Sequence, residues 1–150
     1  MLDVVVPATT DLWDRMAAVL PYTDYFLPND DEARLITGLD DARDQAKCFQ
    51  DAGAGTVAIT RGQAGTVLLS GGELLEAGVF PVTFVDGTGS GDAFDAGFIL
   101  GLLPGKSNAE CVRLGSALGA SCVRHTGATA GVFTRTELEA FLREHELQVR

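Results

Sequence analysis

The chain has 150 residues, 46% of them hydrophobic and 21% charged, which is enough apolar material for one folded domain and too much for a disordered segment. Its 21 acidic against 11 basic side chains give a net charge of −10, and the lysines and arginines stand singly, so a nucleic-acid interface is excluded. No run approaches the roughly 18 apolar residues of a membrane span. The opening MLDVVVPATTD lacks a basic leader, and Cys48, Cys111 and Cys122 fit neither a disulfide framework nor a zinc pattern, so a cytoplasmic protein without membrane or nucleic-acid partners is expected.

In chain order, the branched run LDVVV (2–6) predicts a strand closed by Pro7. TTDLWDRMAAVLPY places Leu12, Met16, Val19 and Leu20 at helical spacing, with a Thr/Asp cap before them and Pro21 as a stop. DYFLPND reads as a short strand, DEARLITG as a short helix ended by Gly38, and DDARDQAKCFQDAGAG as a third helix with acids early. TVAIT (56–60), GTVLLS (65–70) and ELLEAG (73–78) read as strands joined by RGQAG and GG, in the manner of a meander. Helices are expected over 91–103, 108–123 and 135–145. Strands alternating with helices indicate an α/β sheet with parallel members, in one domain or one part of a domain.

Chemistry concentrates where FPVTFV (80–85) runs into DGTGSGD and then into the apolar AFDAGFILGLL. An extended segment, a glycine loop and a helix start form a general anion site, because the first amides of a helix have no internal partner and carry partial positive charge. A phosphate can therefore sit on main-chain dipoles in an acidic protein. Asp92 falls in the first helical turn, where the dipole favours a carboxylate and a proton acceptor would stand beside bound phosphate. The helix carrying it, with Ala93, Phe94, Phe98, Ile99, Leu100, Leu102 and Leu103, is expected to be buried and rigid. A plain strand-to-helix connection capped by aspartate would use the same residues.

Two better-known phosphate patterns fail. A G-x-G-x-x-G spacing would need glycine where Asp92 or Phe94 stands, and GLLPGKS (101–107) is one residue short of a Walker A loop and follows a helix. In PNDDE, Asn29 and Glu32 suit either a hydrated Mg²⁺ or a helix capping box. His125, in a loop, and His145, on a charged helix, read as solvated.

DGTGSGD, taken with PNDDE and ITRGQAG in this order, resembles the ribokinase or PfkB-type carbohydrate kinase family, whose D-T-x-G-A-G-D signature it matches except at Gly87 and Ser90. The resemblance implies a ribokinase-like three-layer α/β/α fold with a mostly parallel central sheet, and ATP-dependent phosphoryl transfer to a hydroxyl of a sugar or related alcohol. Asp92 would be the catalytic base, and the backbone of Gly89, Ser90 and Gly91 the anion hole for the transferred group. Asn29 and Glu32 would hold Mg²⁺, and Asp86 and Thr88 a monovalent cation such as K⁺. Thr60, Gly62 and Gly65, with Gly89 and Gly91, would face the ATP phosphates. Ser116, where ribokinases often have Asn, would lie near adenine in the segment RLGSALGASCVRHTGA.

The resemblance covers all 150 residues but only the second half of such a kinase. The family's N-terminal half, with its sugar pocket and β lid, has no counterpart. Residues 1–150 are therefore expected to keep the nucleotide cradle and the base without most of the sugar recognition, and to expose a sheet edge that an oligomer or the missing half would complete. A different class of function is a non-catalytic nucleotide-binding or regulatory module on the same fold. A third is a chain that completes another protein's sheet.

Overall fold

The branched apolar run TVAIT forms a strand, β2 (Thr56–Thr60), because its first four residues are buried and need partners on both sides. The computed structural model describes residues 1–5 and 11–150, so Val6 and Pro7 of the first predicted strand and Thr9 and Thr10 of the first predicted cap lie outside the described residues. The chain divides into two compact units, Met1–Glu76 and Ala77–Arg150.

The first unit contains α1 (Leu12–Val19), a 3₁₀ turn (Leu20–Tyr22), β1 (Tyr25–Phe26), α2 (Asp30–Thr37), α3 (Ala42–Asp51), β2, a second 3₁₀ turn (Gly62–Ala64) and β3 (Thr66–Ser70). It also holds β4 (Glu73–Ala77) up to Glu76. The sheet order is β1-β2-β3-β4. It is mixed: β1 runs parallel to β2, with Tyr25 opposite Thr56, and β2 runs antiparallel to β3, from Thr56 opposite Ser70 to Thr60 opposite Thr66. Phe26, Ile36, Phe49, Val57, Ile59 and Val67 build its core, and Phe26 meets Phe49 edge-on at 4.9 Å. Each such fully buried side chain contributes roughly 1.5–3 kcal/mol. Asp41 caps α3 by accepting the amides of Arg43 and Asp44, and Gly38 ends α2 at φ +74°.

Two expectations for this unit change. Among its described residues, 2–5, the predicted strand at 2–6 pairs at one position, where Leu2 bridges to Phe26 with its amide on Tyr25 O at 2.8 Å. The Val4 amide turns to the Asp3 carboxylate at 2.8 Å, a local bond that competes with ladder formation. In α1, Asp11 makes no side-chain cap, and Val19 is exposed while Leu20 is buried. Tighter 3₁₀ winding begins at Leu20, ahead of Pro21, and changes the face that follows.

The second unit holds α4 (Ser90–Leu102), α5 (Asn108–Cys122) and α6 (Arg135–Glu144). α4 and α5 cross at close range because glycines line the contact. A Cβ at Gly97 would stand 2.5 Å from the Leu114 carbonyl oxygen, and one at Gly115 would stand 2.8 Å from that of Phe94. The expectation of a wholly buried α4 is corrected accordingly. Ala93, Phe94 and Phe98 are buried on the α5 side, whereas Ile99 is exposed on the helix and Leu103 is 82% exposed just beyond it. Capping boxes start α5 (Ser107 with Glu110) and α6 (Thr134 with Glu137). His145 is not simply solvated: it is half-buried, stacks on Phe141 at 4.2 Å and has its Nδ1 3.0 Å from the Phe141 carbonyl. Cys111 and Cys122 are fully buried and Cys48 is half-buried, all without disulfides. Among the described residues, no helix is long and apolar enough to cross a membrane.

Candidate active site

The glycine loop of the second unit is held from its N-terminal side. The amides of Val85 and Asp86 both donate to the Val123 carbonyl, at 2.7 and 3.2 Å. Asp86 Oδ1 accepts the amide and hydroxyl of Thr88 at 3.0 and 2.8 Å, and Oδ2 accepts the Gly127 amide at 2.8 Å. Those three donors, Gly127 foremost, hold the Asp86 carboxyl below the usual aspartate range. The side chains expected to take a monovalent cation are thus bonded to each other and to Gly127. Asp86 acts in this geometry as a clamp between two loops, accepting three of the roughly four hydrogen bonds a carboxylate can take.

Gly89 enters α4 at φ +76°, and a Cβ on it would lie 2.5 Å from that of Ala128, so both conformation and space require glycine there. The Ser90 amide turns back to the Gly87 carbonyl at 3.1 Å, closing the turn ahead of the helix. The expected trio of free amides therefore exchanges one member, Ser90 for Asp92. Among the described residues, those of Gly89, Gly91 and Asp92 have no acceptor, and that of Ser90 has one. The Asp92 side chain, one residue beyond Gly91, is exposed and takes part in no hydrogen bond or ion pair among the described residues. Ser116 is half-buried on α5, three residues before Gly119, where an added Cβ would lie 3.3 Å from the Ser90 carbonyl oxygen.

The remaining candidates lie in the first unit. Asn29 bridges in parallel to Thr60, and the Thr60 amide donates to Pro28 O at 3.1 Å, so both residues stand at the carboxyl ends of neighbouring parallel strands. Open α/β sheets bind ligands beyond such ends. Asn29 Oδ1 accepts the Glu32 amide at 2.8 Å and Glu32 Oε2 accepts the Asn29 amide at 2.9 Å, which completes a capping box. Burial pushes the Glu32 carboxyl up, the Asn29 amide pulls it down, and Asp3 and Asp31 push it further up. Asn29 Oδ1 and Glu32 Oε2 are each engaged in the cap, and Glu32 Oε1 has no hydrogen-bond partner among the described residues. A half-buried carboxylate with acidic neighbours fits the water shell of a divalent cation, since Mg²⁺ keeps several waters. No group of three or more His, Cys, Asp or Glu could hold a metal directly among the described residues.

After Thr60, the Arg61 amide reaches Gly65 O at 2.8 Å across the turn. Gly62 sits at φ +50°, and Gly65 at φ +83° with ψ −144°, a conformation restricted to glycine. A surface groove of about 420 Å³, lined by Trp13, Asp44, Lys47, Cys48, Asp51 and Ala52, includes none of the candidate residues.

Residues 2–135 match the family of pfkB carbohydrate kinases. The chain belongs to that family. It is 38% identical to a cytidine kinase of Thermococcus kodakarensis over 68% of the chain and 37% of the relative. It is 37% identical to a ribokinase of Haemophilus influenzae over 85% of the chain and 43% of the relative. Among solved structures, Arabidopsis thaliana ribokinase complexed with ribose and ATP superposes with a TM-score of 0.79 at 28% identity, covering 85% of this chain and 43% of that one. A provisionally named ribokinase II from E. coli, in complex with ATP and Mg²⁺, gives 0.78 at 28% identity over 88% and 43%. The fold of this PfkB-family chain is ribokinase-like, and the chain spans about two fifths of the length of these proteins.

Sequence reasoning missed the residues that support the glycine loop from behind: Cys122, Val123, Gly127 and Ala128. All four stand in the segment RLGSALGASCVRHTGA (113–128), for which the resemblance implies only a place near adenine.

Proposed function

We propose that residues 1–150 are the C-terminal nucleotide-binding and catalytic part of a PfkB-type kinase that transfers phosphate from ATP to a hydroxyl of a sugar or related alcohol. The observation that carries this reading is the pairing of an unengaged Asp92 carboxylate with the unengaged amides of Gly89, Gly91 and Asp92 at the start of a well-packed helix. In this reading Asp92 takes the proton of the attacking hydroxyl, and the amides bind the charge that builds on the transferred group. Positioning and electrostatics dominate such transfers, so a weakly basic carboxylate suffices. The family resemblance assigns Thr60, Gly62 and Gly65 to nucleotide phosphates and Ser116 to the base. Mg²⁺ would neutralise nucleotide charge, and Asn29 and Glu32 would hold it through its water shell. Asp86 and Thr88 would hold a monovalent cation such as K⁺, as the family resemblance implies. Use of ATP accords with a cytoplasmic location.

The test is calorimetric titration of the 150-residue chain with ATP·Mg²⁺ and with a panel of pentoses, hexoses and nucleosides, followed by an assay of phosphoryl transfer. The expected result is nucleotide binding with weak or no sugar binding and little turnover. Absence of ATP·Mg²⁺ binding overturns the reading. Robust transfer to a common sugar by the chain alone overturns the assignment of sugar recognition to a segment beyond it. Nucleotide binding that no acceptor converts to transfer, even with a PfkB-family N-terminal half supplied, favours a regulatory nucleotide-binding module.

A further inference from the structure

Behind the glycine loop, the last residue of α5 points a fully buried thiol between two carbonyls. Cys122 Sγ lies 3.4 Å from the carbonyl oxygen of Thr88 and 3.3 Å from that of Ala128. Two carbonyl dipoles converging on a fully buried sulfur repel unless a donor stands between them. The thiol has a single proton, which the two oxygens share. One oxygen belongs to the residue just before Gly89; the other belongs to the residue whose atoms press on Gly89. From the Cys122 thiol, one bond fixes the loop that presents the free amides and the other fixes the loop that backs it.

We infer that Cys122 is a positioning residue for the phosphate cradle: its S–H ties residues 88 and 128 together and thereby aims the amides of Gly89, Gly91 and Asp92. The inference rests on the kinase reading for its functional half and on geometry alone for its structural half. Cys111 provides the internal control. It is an equally buried thiol on the same helix, but its one acceptor among the described residues is Lys106 O at 3.8 Å, far along the chain from this loop.

The experiment compares the parent chain with Cys122→Ala, Cys122→Val, Cys122→Ser and Cys111→Ala. Two quantities are read: the ATP·Mg²⁺ dissociation constant, and the hydrogen-exchange rates of the Gly127 and Ser90 amides, which mark the clamp and the turn. The two donorless Cys122 variants should weaken ATP·Mg²⁺ binding about fivefold, the equilibrium factor of one ordinary hydrogen bond, and accelerate both exchange rates by a similar factor. Cys122→Ser restores the donor and should recover most of both. Cys111→Ala should change neither, whatever it does to the melting temperature. Parent-like exchange in a folded Cys122→Val overturns the inference, as does equal damage from Cys111→Ala. Should the parent chain fail to bind ATP·Mg²⁺, the kinase reading falls, and the exchange rates alone then decide whether Cys122 holds the loop.

Discussion

Gly127 donates its amide to Asp86 Oδ2 at 2.8 Å although 41 positions separate the two residues in sequence. That bond joins the loop ahead of α4 to the loop after α5, and it depends on an ionised carboxylate. Asp86 is held below its ordinary value of 3.8, so its contribution to stability is complete above that pH and is lost as pH falls through the lower folded value. Glu110, held down by Lys106 and Ser107, and Glu137, held down by Thr134, lose theirs in the same acid direction. The diagnostic is therefore a difference. Asp86→Asn should melt at lower temperature than the parent at neutral pH, and the gap should close as the pH drops below about 3.8 in thermal scans. A constant gap at all pH values counts against the clamp.

Asp92→Asn separates chemistry from binding. Any phosphoryl transfer the chain supports should fall about 10²–10⁴-fold, the usual range for loss of a general base. ATP·Mg²⁺ affinity should be unchanged or slightly improved, because a negative charge beside the phosphates is removed. Equal losses in both would place Asp92 among the binding groups.

Glu32→Gln keeps the capping box, since glutamine also serves at that helical position, but removes the charge. Burial leads the upward shift of Glu32, so its ionisation opposes folding. Its contribution is present below the ordinary 4.5 and is lost as pH rises through the folded value. The variant should thus be at least as stable as the parent at neutral pH while binding ATP about five- to tenfold less tightly in Mg²⁺, with no loss in its absence. A carboxyl-detected NMR titration of the parent should show the Glu32 midpoint falling when ATP·Mg²⁺ is added.

Two glycines on α4 should respond oppositely to alanine. Gly97→Ala places a Cβ 2.5 Å from the Leu114 carbonyl oxygen, and overpacking should cost about 1–3 kcal/mol even after the gain in helix propensity. At Gly91 a Cβ meets no atom within 4 Å, so Gly91→Ala should hold or raise the melting temperature yet weaken ATP·Mg²⁺ binding by crowding the approach to its amide. Denaturant melts and calorimetry distinguish the two.

Elements with strong periodicity or caps were legible to within about a residue: β2 at 56–60, α5 at 108–122 against an expected 108–123, and α2 between Asn29 and Gly38. LDVVV misled because branched composition signals a strand without saying who pairs with it, and Asp3 offered Val4 a nearer acceptor. α4 misled because an all-apolar helix shows no face, and its buried side is set by where glycines let α5 approach. At residues 86–92 the glycine loop and the helix start after it were readable, but two details were not. Which amides stay free depends on a turn bond from Ser90 to Gly87, and the support from Cys122 and Gly127 arises only when distant segments meet.

The uneven exposure of the three thiols makes the molecule convenient to instrument. With Cys111 and Cys122 at 0% accessibility, a maleimide dye should attach at Cys48 alone, without any engineered mutation. Burial and Asp51 push the Cys48 thiol up, so coupling should be slow at neutral pH and faster in mild alkali. One fluorophore on α3 then reports on the folding of the sheet-bearing unit, while α4 and α5 keep their native chemistry.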